Sequence, residues 1–296
     1  MNPRIIKTSL KILGILLACI FVYFFVGYPR TYPKTYGITW STDYAKYLGI
    51  DPYDGLAAVL DELHVKHVRV PVYWTHVEPT HGTFNWSSID RQLDLIDARH
   101  GTVTLVVGAK QPRWPECWFP DWTKSLDAKT RREAQLTYAR EVVTRYKDRS
   151  TITRWQIENE PTFFSDFGDC TLYDRSTIND EIALVKHIDT HNRVLATTAS
   201  GELSTWMFEP KGIDIGFSVY RVVSNSLFKR WSYWFFPSWF YGRKIVLHNL
   251  FRGGSMYVSE FQMEPWTQGD IKTASIDDQL YTFDEHQLKK NLTYAS

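Results

Sequence analysis

The feature that most constrains the fold is a regular alternation of short, β-branched apolar runs with amphipathic stretches over residues 36–296. Such alternation is typical of an α/β protein with a parallel sheet, in which helices connect neighbouring strands. The predicted strands are Tyr36–Ser41, His67–Tyr73, Thr102–Gly108, Ile152–Glu158, Val194–Ala199, Ile213–Val219 and Ser255–Glu260. The predicted helices include Pro52–His64, Ser87–His100, Lys129–Lys147, Thr177–His191 and Ser275–Tyr294.

Two architectures with a parallel sheet are compatible with this alternation, a doubly wound sheet and a TIM barrel. A dinucleotide-binding sheet needs a glycine-rich turn after its first strand, and Thr39-Trp40-Ser41-Thr42 contains no glycine. A barrel needs about 250 residues, which fits. We therefore expect a (β/α)8 TIM barrel. Because the last predicted helix follows the seventh strand, we expect the sequence to stop before strand eight. A barrel with unpaired edges at strands one and seven would be poorly stable or inactive.

An uncharged apolar run, Ile12–Gly27, precedes this domain and follows Arg4, Lys7 and Lys11. As a helix it is roughly 24 Å long, and lysine snorkelling extends it toward the ~30 Å hydrocarbon core of a bilayer. A cleaved signal peptide and a lipoprotein signal at Cys19 are the alternatives. We expect residues 1–27 to be an uncleaved single-pass anchor with its basic end in the cytoplasm, 28–35 a linker, and 36–296 an extracytoplasmic domain.

Composition excludes several classes of protein. The net charge of +1 and the 16% aromatic content argue against a disordered chain, and no basic block indicates nucleic-acid binding. No phosphate loop, Gly-x-Ser-x-Gly or metalloprotease motif is present, so we expect no cofactor, no metal ion and no obligate protein partner. Cys117 and Cys170 follow strands three and four and could pair outside the cytoplasm; two free thiols are the alternative.

Glutamates stand where two predicted strands open into loops. Glu158 and Glu160 lie at the end of strand four, and Glu260 and Glu264 at or beyond the end of strand seven. Catalytic residues of TIM barrels come from these C-terminal strand ends, and strands four and seven lie across the barrel mouth. Two carboxyls that converge on one bond are the machinery of glycoside hydrolysis. Surface ion pairs are the alternative for any single glutamate.

Three segments in order carry a resemblance to a known group of enzymes. They are Trp74 to Asp90 after strand two, Gln156-Ile157-Glu158-Asn159-Glu160, and Ser259-Glu260-Phe261-Gln262. The chain resembles the clan A glycoside hydrolases, which include family 5 cellulases and the family 35 and 42 β-galactosidases. The resemblance covers most of residues 36–296.

The resemblance implies that Glu160 is the general acid/base and Glu260 the nucleophile, with Glu264 the rival nucleophile. It also implies that Asn159 bonds the sugar 2-hydroxyl and that Tyr220 bonds the nucleophile. Arg69 on strand two would hold that nucleophile ionised. We expect Glu158 to point into the barrel one layer lower, hydrogen-bonded to a basic residue. The candidate stacking platforms, each equally compatible with core packing, are Trp74, Trp114 and Trp266.

An aromatic segment, residues 230–241, lies between strands six and seven. It is compatible with a buried loop and helix, with a wall of the substrate cleft, or with a patch in the membrane headgroup region. The sequence as a whole predicts a membrane-anchored retaining glycoside hydrolase acting on a β-linked carbohydrate. The alternatives are a non-catalytic carbohydrate-binding barrel and an envelope-glycan transglycosylase.

Overall fold

The computed structural model describes residues 3–27, 34–162, 168–204, 206–223, 230–267 and 269–294. Most of the predicted linker, residues 28–33, lies outside them. The chain divides into two compact units. The sheet unit comprises Thr35–Ser218 and Arg252–Glu260, and the terminal unit comprises Met1–Lys34, Val219–Phe251 and Phe261–Ser296.

The secondary structure follows the predicted alternation. The strands are β1 (Gly37–Thr39), β2 (His67–Pro71), β3 (Thr102–Val107), β4 (Ile152–Ile157), β5 (Val194–Ser200), β6 (Asp214–Val219), β7 (Val222–Val223), β8 (Trp231–Ser232) and β9 (Met256–Phe261). The helices are α1 (Pro3–Phe25), α2 (Thr42–Tyr47), α3 (Pro52–Asp61), α4 (Trp74–Val77), α5 (Ser87–Asp97), α6 (Ala128–Tyr146), α7 (Ile178–Ile188), α8 (Ser238–Phe251), α9 (Ile276–Thr282) and α10 (Glu285–Tyr294).

The main sheet of the described residues has seven strands in the order β1-β2-β3-β4-β5-β6-β9. Each successive pair from β1 to β6 is parallel. The strands β2 to β6 are largely buried, and Val70, Leu105 and Ile215 are inaccessible to solvent, as expected when helices cover a parallel sheet. The end strands β1 and β9 are partly exposed. This is the architecture of a TIM barrel, and the predicted fold class is confirmed.

The sheet curls strongly, as one buried side chain demonstrates. Arg69 on β2 donates to Thr39 Oγ1 on β1 at 3.5 Å and to Glu260 Oε1 on β9 at 2.7 Å. Since β1 and β9 are the two ends of the strand order, only a nearly closed sheet brings both within reach of one guanidinium. Strand closure therefore creates the environment of Arg69.

Local capping explains where individual helices begin. Asp51 accepts hydrogen bonds from the N–H groups of Tyr53 and Asp54 at the start of α3, and Asp127 caps α6 in the same way. Side chains that accept from these otherwise unpaired N–H groups stabilise a helix by about 0.5–2 kcal/mol.

The prediction of one long helix over Ser275–Tyr294 is wrong. Ser275 caps α9 as expected, but Phe283 is extended (φ −153°, ψ 102°) and α9 ends before it. Asp284 Oδ1 then accepts from the Gln287 N–H at 2.7 Å as α10 begins. Asp284 and Gln287 have the three-residue spacing of a capping box, which is the sequence signal for this second start.

The terminal unit contains the apolar N-terminal helix. The segment Arg4–Phe25 has a mean hydropathy of 2.2 over its most apolar window and is long enough to cross a membrane. Its side chains from residue 4 to residue 22 are exposed, and those of Tyr23, Phe24 and Phe25 are half-buried. The rings of Phe24 and Phe25 pack on Phe240 of α8.

Candidate active site

Arg69 is the buried centre of a polar cluster in the sheet unit. Its Nε donates to Gln156 Oε1 at 2.7 Å, and Nη2 donates to Asn159 Oδ1 at 2.6 Å. Its Nη1 forms the 2.7 Å ion pair with Glu260. Each nitrogen of the planar guanidinium therefore has a defined acceptor, which holds the cation in one orientation.

Glu260 stands at the end of β9, and its side chain is 19% exposed. The alternation of β9 and the curl of the sheet turn the carboxylate toward Arg69 on β2. A charge-assisted bond of 2.7 Å to a buried cation favours the ionised carboxylate. The geometry provides a fixed negative charge at the C-terminal end of the strands.

Glu160 lies just past the end of β4, and its surroundings differ from those of Glu260. Ser218 Oγ on β6 donates to Glu160 Oε1 at 2.7 Å. The Glu160 backbone is held from both sides, by Lys110 Nζ on its carbonyl at 2.9 Å and by Thr198 Oγ1 on its N–H at 2.7 Å. Burial raises the pKa of Glu160, and the charge of Glu260 raises it further. The site thus contains Glu160, whose surroundings favour the protonated form, and Glu260, which pairs with Arg69.

Glu158 does not point into the barrel, and no basic side chain in the described part of the chain binds it, so that prediction is wrong. Its carboxylate accepts from the N–H groups of Ala109 and Lys110 at 2.9 and 2.6 Å, and from Gln135 Nε2 of α6 at 2.8 Å. The same Gln135 Nε2 also donates to Glu181 Oε1 of α7 at 2.9 Å. The backbone of Glu158 has a φ of 59°, and this left-handed turn breaks the strand alternation. The side chain faces the helix layer instead.

A third carboxyl, Glu116, faces the pair and was not predicted. It lies in the loop after β3, near enough to the Asn159 side chain for that amide to lower its pKa. Burial raises the pKa of Glu116 to about 8, and the charges of Glu260 and Glu160 add to the rise against the opposing effect of Lys110. Its place in the loop after the third strand is the only hint that the sequence offers.

Asn159 is buried between its neighbours. Its Oδ1 accepts from Arg69 and also from Thr198 Oγ1 at 2.9 Å. With its oxygen occupied by these donors, the amide group presents N–H bonds toward Glu116. Asn159 therefore links the Arg69 centre to the loop after β3.

Trp74 is not a stacking platform, because the structure places it in the core. It is fully buried, and its Nε1 donates to Glu78 Oε2 at 2.7 Å. Its ring stacks on Tyr138 of α6 at 5.2 Å. Glu78 in turn accepts from the Gly82 N–H at 2.8 Å, so the Trp74–Gly82 part of the family-like segment shapes the loop after β2. Trp114, in contrast, is exposed in the loop after β3.

Three other predicted residues belong to the terminal unit. Tyr220 and Trp266 contact each other edge to face, with ring centroids 5.1 Å apart. The backbone carbonyl of Glu264 accepts from Gln262 Nε2 at 3.4 Å. The structure therefore brings Tyr220 and Trp266 together, and it brings Glu160, Glu260, Asn159 and Arg69 together in the sheet unit.

Cys117 and Cys170 form a disulfide between the loops after β3 and β4, with Cα atoms 5.1 Å apart. The bridge adjoins Glu116 in sequence, so it restrains the loop that carries the third carboxyl. Cys19 of α1 is the free cysteine. Among the described residues, no group of three or more His, Cys, Asp or Glu side chains is arranged to hold a metal ion.

The chain is similar to known glycoside hydrolases. The model of the glycoside hydrolase family 42 β-galactosidases matches residues 54–175, a range that includes Arg69, Asn159 and Glu160. A family 5 subfamily 18 glycoside hydrolase from Streptomyces cattleya, solved with GlcNAc, is 12% identical over 90% of this chain and 80% of its own, with a TM-score of 0.52. The chain resembles the clan A glycoside hydrolases. The predicted resemblance is confirmed.

Xylanase B from Clostridium stercorarium F9 gives a similar result. It is 18% identical over 80% of this chain and 78% of its own, with a TM-score of 0.51. The β-galactosidase from the psychrophilic Marinomonas ef1 is 13% identical over 64% of this chain, with a TM-score of 0.42, and the chain spans only 41% of its length. The family 5 hydrolase and xylanase B, with TM-scores of 0.52 and 0.51, support the barrel fold.

Proposed function

We propose that the chain is a retaining glycoside hydrolase that cleaves a β-linked glycosidic bond with Glu160 as general acid/base and Glu260 as nucleophile. The observation that carries this proposal is the opposite electrostatic setting of the two carboxyls. Arg69 pairs with Glu260 at 2.7 Å, whereas burial and the Glu260 charge raise the pKa of Glu160. Pairs of carboxyls whose surroundings drive their protonation apart divide the acid and nucleophile roles.

The reaction follows from these settings. Glu160 gives its proton to the glycosidic oxygen as the bond to the anomeric carbon breaks, and Glu260 attacks that carbon to form a glycosyl ester. Glu160, now ionised, takes a proton from water, which attacks the anomeric carbon and releases Glu260. The Ser218 hydroxyl holds the Glu160 carboxyl in place through both steps, and Arg69 does the same for Glu260.

The β-linkage and carbohydrate substrate are supported by the similarity to β-galactosidases over residues 54–175 and to a xylanase. Asn159 N–H groups near Glu116 are suited to bind a sugar hydroxyl beside the reacting bond. The exposed Trp114 offers an aromatic face to a sugar ring. We propose Tyr220 and Trp266 as further substrate contacts, with Tyr220 as a donor to the nucleophile.

We also propose that α1 anchors the protein in a membrane, with Arg4, Lys7 and Lys11 on the cytoplasmic side and the remaining domain outside. The fully exposed apolar surface of residues 12–22 supports insertion into lipid. The excess of basic residues before the span favours this orientation. The Cys117–Cys170 disulfide supports an oxidising compartment for the domain.

The chemical proposal is tested with a mechanism-based 2-fluoro glycoside, followed by mapping of the labelled peptide. The expected label is on Glu260. The variant Glu260→Ala should regain turnover of an activated aryl glycoside with azide and give the glycosyl azide of inverted configuration. Glu160→Ala with azide should give the retained product. Glu264→Gln is the matched control and should keep wild-type labelling.

Other outcomes overturn parts of the proposal. A label on Glu264 would keep a retaining mechanism and reject Glu260 as nucleophile. Absence of a label and of turnover across a panel of aryl β-glycosides, with sugar binding retained, would reject the enzyme in favour of a carbohydrate-binding protein. Carbonate extraction and protease protection of membranes carrying the full chain test the anchor and its orientation separately.

A further inference from the structure

Helix α1 marks the depth at which a bilayer would end. Its exposed residues 4–22 cover about 28 Å at 1.5 Å per residue, close to the ~30 Å hydrocarbon thickness, when Lys7 and Lys11 extend their ammonium groups to the cytoplasmic headgroups. The half-buried residues Tyr23, Phe24 and Phe25 therefore lie at the outer boundary of the hydrocarbon when α1 spans it. Residues that pack on Tyr23, Phe24 and Phe25 therefore lie at that boundary as well.

Helix α8 and the aromatic residues before it pack on α1 at this boundary. Phe25 packs on Phe236 and Phe240 with ring centroids 6.3 and 5.9 Å apart. The Tyr23 hydroxyl donates to the Arg243 carbonyl at 3.2 Å. As α8 advances from residue 240 to residue 243, its contacts on α1 move from residue 25 back to residue 23. Because residues 4–22 of α1 are exposed, α8 does not follow α1 further into the bilayer and stays at the level of residues 23–25.

The surface of α8 is inverted relative to that of a helix in water. Its exposed stripe is apolar, with Val246 58%, Leu250 71% and Phe251 58% accessible. Its buried side carries Lys244 and His248, which are only 9% and 2% accessible. A water-facing helix places charged residues outside and apolar residues inside. The reverse pattern is expected when the outer environment is less polar than the inner one.

The aromatic residues before α8 extend the same surface. Trp234 is exposed, and its ring contacts Phe235 edge to face at 5.9 Å. Trp231 forms part of the short β7–β8 ribbon and is also exposed. Tryptophan is enriched where a protein meets the membrane–water interface, because the ring is apolar and its N–H is polar.

We infer that residues 231–236 and the Val246–Leu250–Phe251 stripe of α8 rest in the outer headgroup layer of the bilayer that α1 spans. This interfacial surface is a second membrane contact, separate from the anchor itself, and its occupant is phospholipid. It holds the terminal unit against the membrane, so α1 is not a free tether. The inference rests on the proposed anchoring by α1.

Lipid-quenching fluorescence on the full chain tests this surface. The free Cys19 is replaced by alanine, the disulfide is left intact, and single cysteines replace Leu250, Leu17 or the exposed Leu63 of the sheet unit. Each carries an environment-sensitive fluorophore in phosphatidylcholine vesicles that contain lipid spin-labelled near the headgroup or deep in the acyl chain. Circular dichroism confirms that each variant is folded.

The expected result is loss of fluorescence at position 250 with the shallow label, loss at position 17 with the deep label, and no loss at position 63. Adding Val246→Asp should reduce the loss at position 250 and leave that at position 17 unchanged. Quenching at 17 without quenching at 250, whether the stripe then faces water, a second copy or another protein, overturns the interfacial surface and keeps the anchor. Absence of quenching at 17 overturns the anchor proposal as well.

Discussion

Glu158 and Glu160 lie two residues apart at the end of the same strand, yet they occupy different chemical environments. Glu160 faces Ser218 and the charge of Glu260 at the C-terminal end of the barrel strands. Glu158 faces the layer of helices, where Gln135 Nε2 donates both to it and to Glu181. Burial raises the pKa of both carboxyls, but only one of them lies beside a second carboxyl that a cation holds.

The difference shows that a raised pKa does not by itself identify a catalytic acid. Gln135 Nε2 donates to both Glu158 Oε1 and Glu181 Oε1, at 2.8 and 2.9 Å, so the two buried carboxyls share one amide donor. Glu158 also accepts from two backbone N–H groups of the loop after β3. Glu158 and Glu181 therefore have a structural role, because they connect the end of β4 to α6, to α7 and to the loop after β3.

The largest expected effect separates the two glutamates directly. Glu160→Gln cannot donate a proton, so kcat/KM for a glycoside with a poor leaving group should fall about 10²–10⁴-fold, with little change in melting temperature. Glu158→Gln turns an amide N–H toward backbone N–H groups, so the free energy of unfolding should fall by about 1–3 kcal/mol while folded protein keeps most of its activity. A Glu158→Gln variant that is inactive but normally stable would contradict the structural role of Glu158.

The second largest effect is expected at Arg69, the cation that pairs with Glu260. Arg69→Met removes the ion pair of the partly buried Glu260 and the donors to Gln156 and Asn159. We expect a loss of about 3–5 kcal/mol in stability together with loss of turnover, measured by denaturant unfolding and steady-state kinetics. Arg69→Lys keeps the charge but not the planar donors, so it should recover stability more than activity. Equal recovery of both would argue against a positioning role.

The Glu158–Glu181 pair should contribute a dependence of stability on pH. Burial raises the pKa of Glu181 to about 7 and that of Glu158 well above its usual value, so the folded chain keeps protons that the unfolded chain has lost. The free energy of unfolding therefore falls as pH rises from about 5 through 7, by at most about 1.4 kcal/mol per pH unit for each group. Melting curves across this range measure the slope.

Glu181→Gln should make that slope shallower, because it removes one of the two buried carboxyls that titrate. The matched control is Glu133→Gln on the exposed face of α6, which should keep the wild-type slope. A variant slope as steep as that of the wild type would mean that other carboxyls cause the pH dependence.

The smallest expected effect tunes Glu160 alone. The Ser218 hydroxyl donates to Glu160 and lowers its pKa. Ser218→Ala should raise that pKa, and the basic limb of the kcat/KM profile should move to higher pH because turnover needs protonated Glu160. The acidic limb should stay in place. Ser200→Ala on the neighbouring strand is the control, and an unchanged basic limb in Ser218→Ala would separate this bond from catalysis.

Much of the fold is local and therefore predictable. All seven strands of the main sheet were predicted, because each is a short β-branched run bounded by polar residues. Glu160 and Glu260 were selected because they stand at strand ends, and strand order places such ends together in a barrel. The start of α9 at Ser275 was likewise a short-range pattern.

The direction of Glu158 was not predictable, because strand alternation assumes extended backbone and its φ of 59° breaks that rule. The burial of Trp74 depended on Tyr138 in a helix more than sixty residues away. Glu116 joins the site through a loop whose path depends on contacts with Asn159 and Cys170. None of these partners lies within a local sequence window.

The alternating α/β architecture, the apolar N-terminal helix and the glutamates at two strand ends follow from periodicity and from position along the chain. The folded arrangement sets which carboxyl meets Arg69 and which turns to the helices, and it leaves Val246 and Leu250 of α8 exposed while Lys244 is buried. Those outcomes depend on backbone direction and on partners far apart in sequence, whose proximity arises only when the sheet curls and the helices pack.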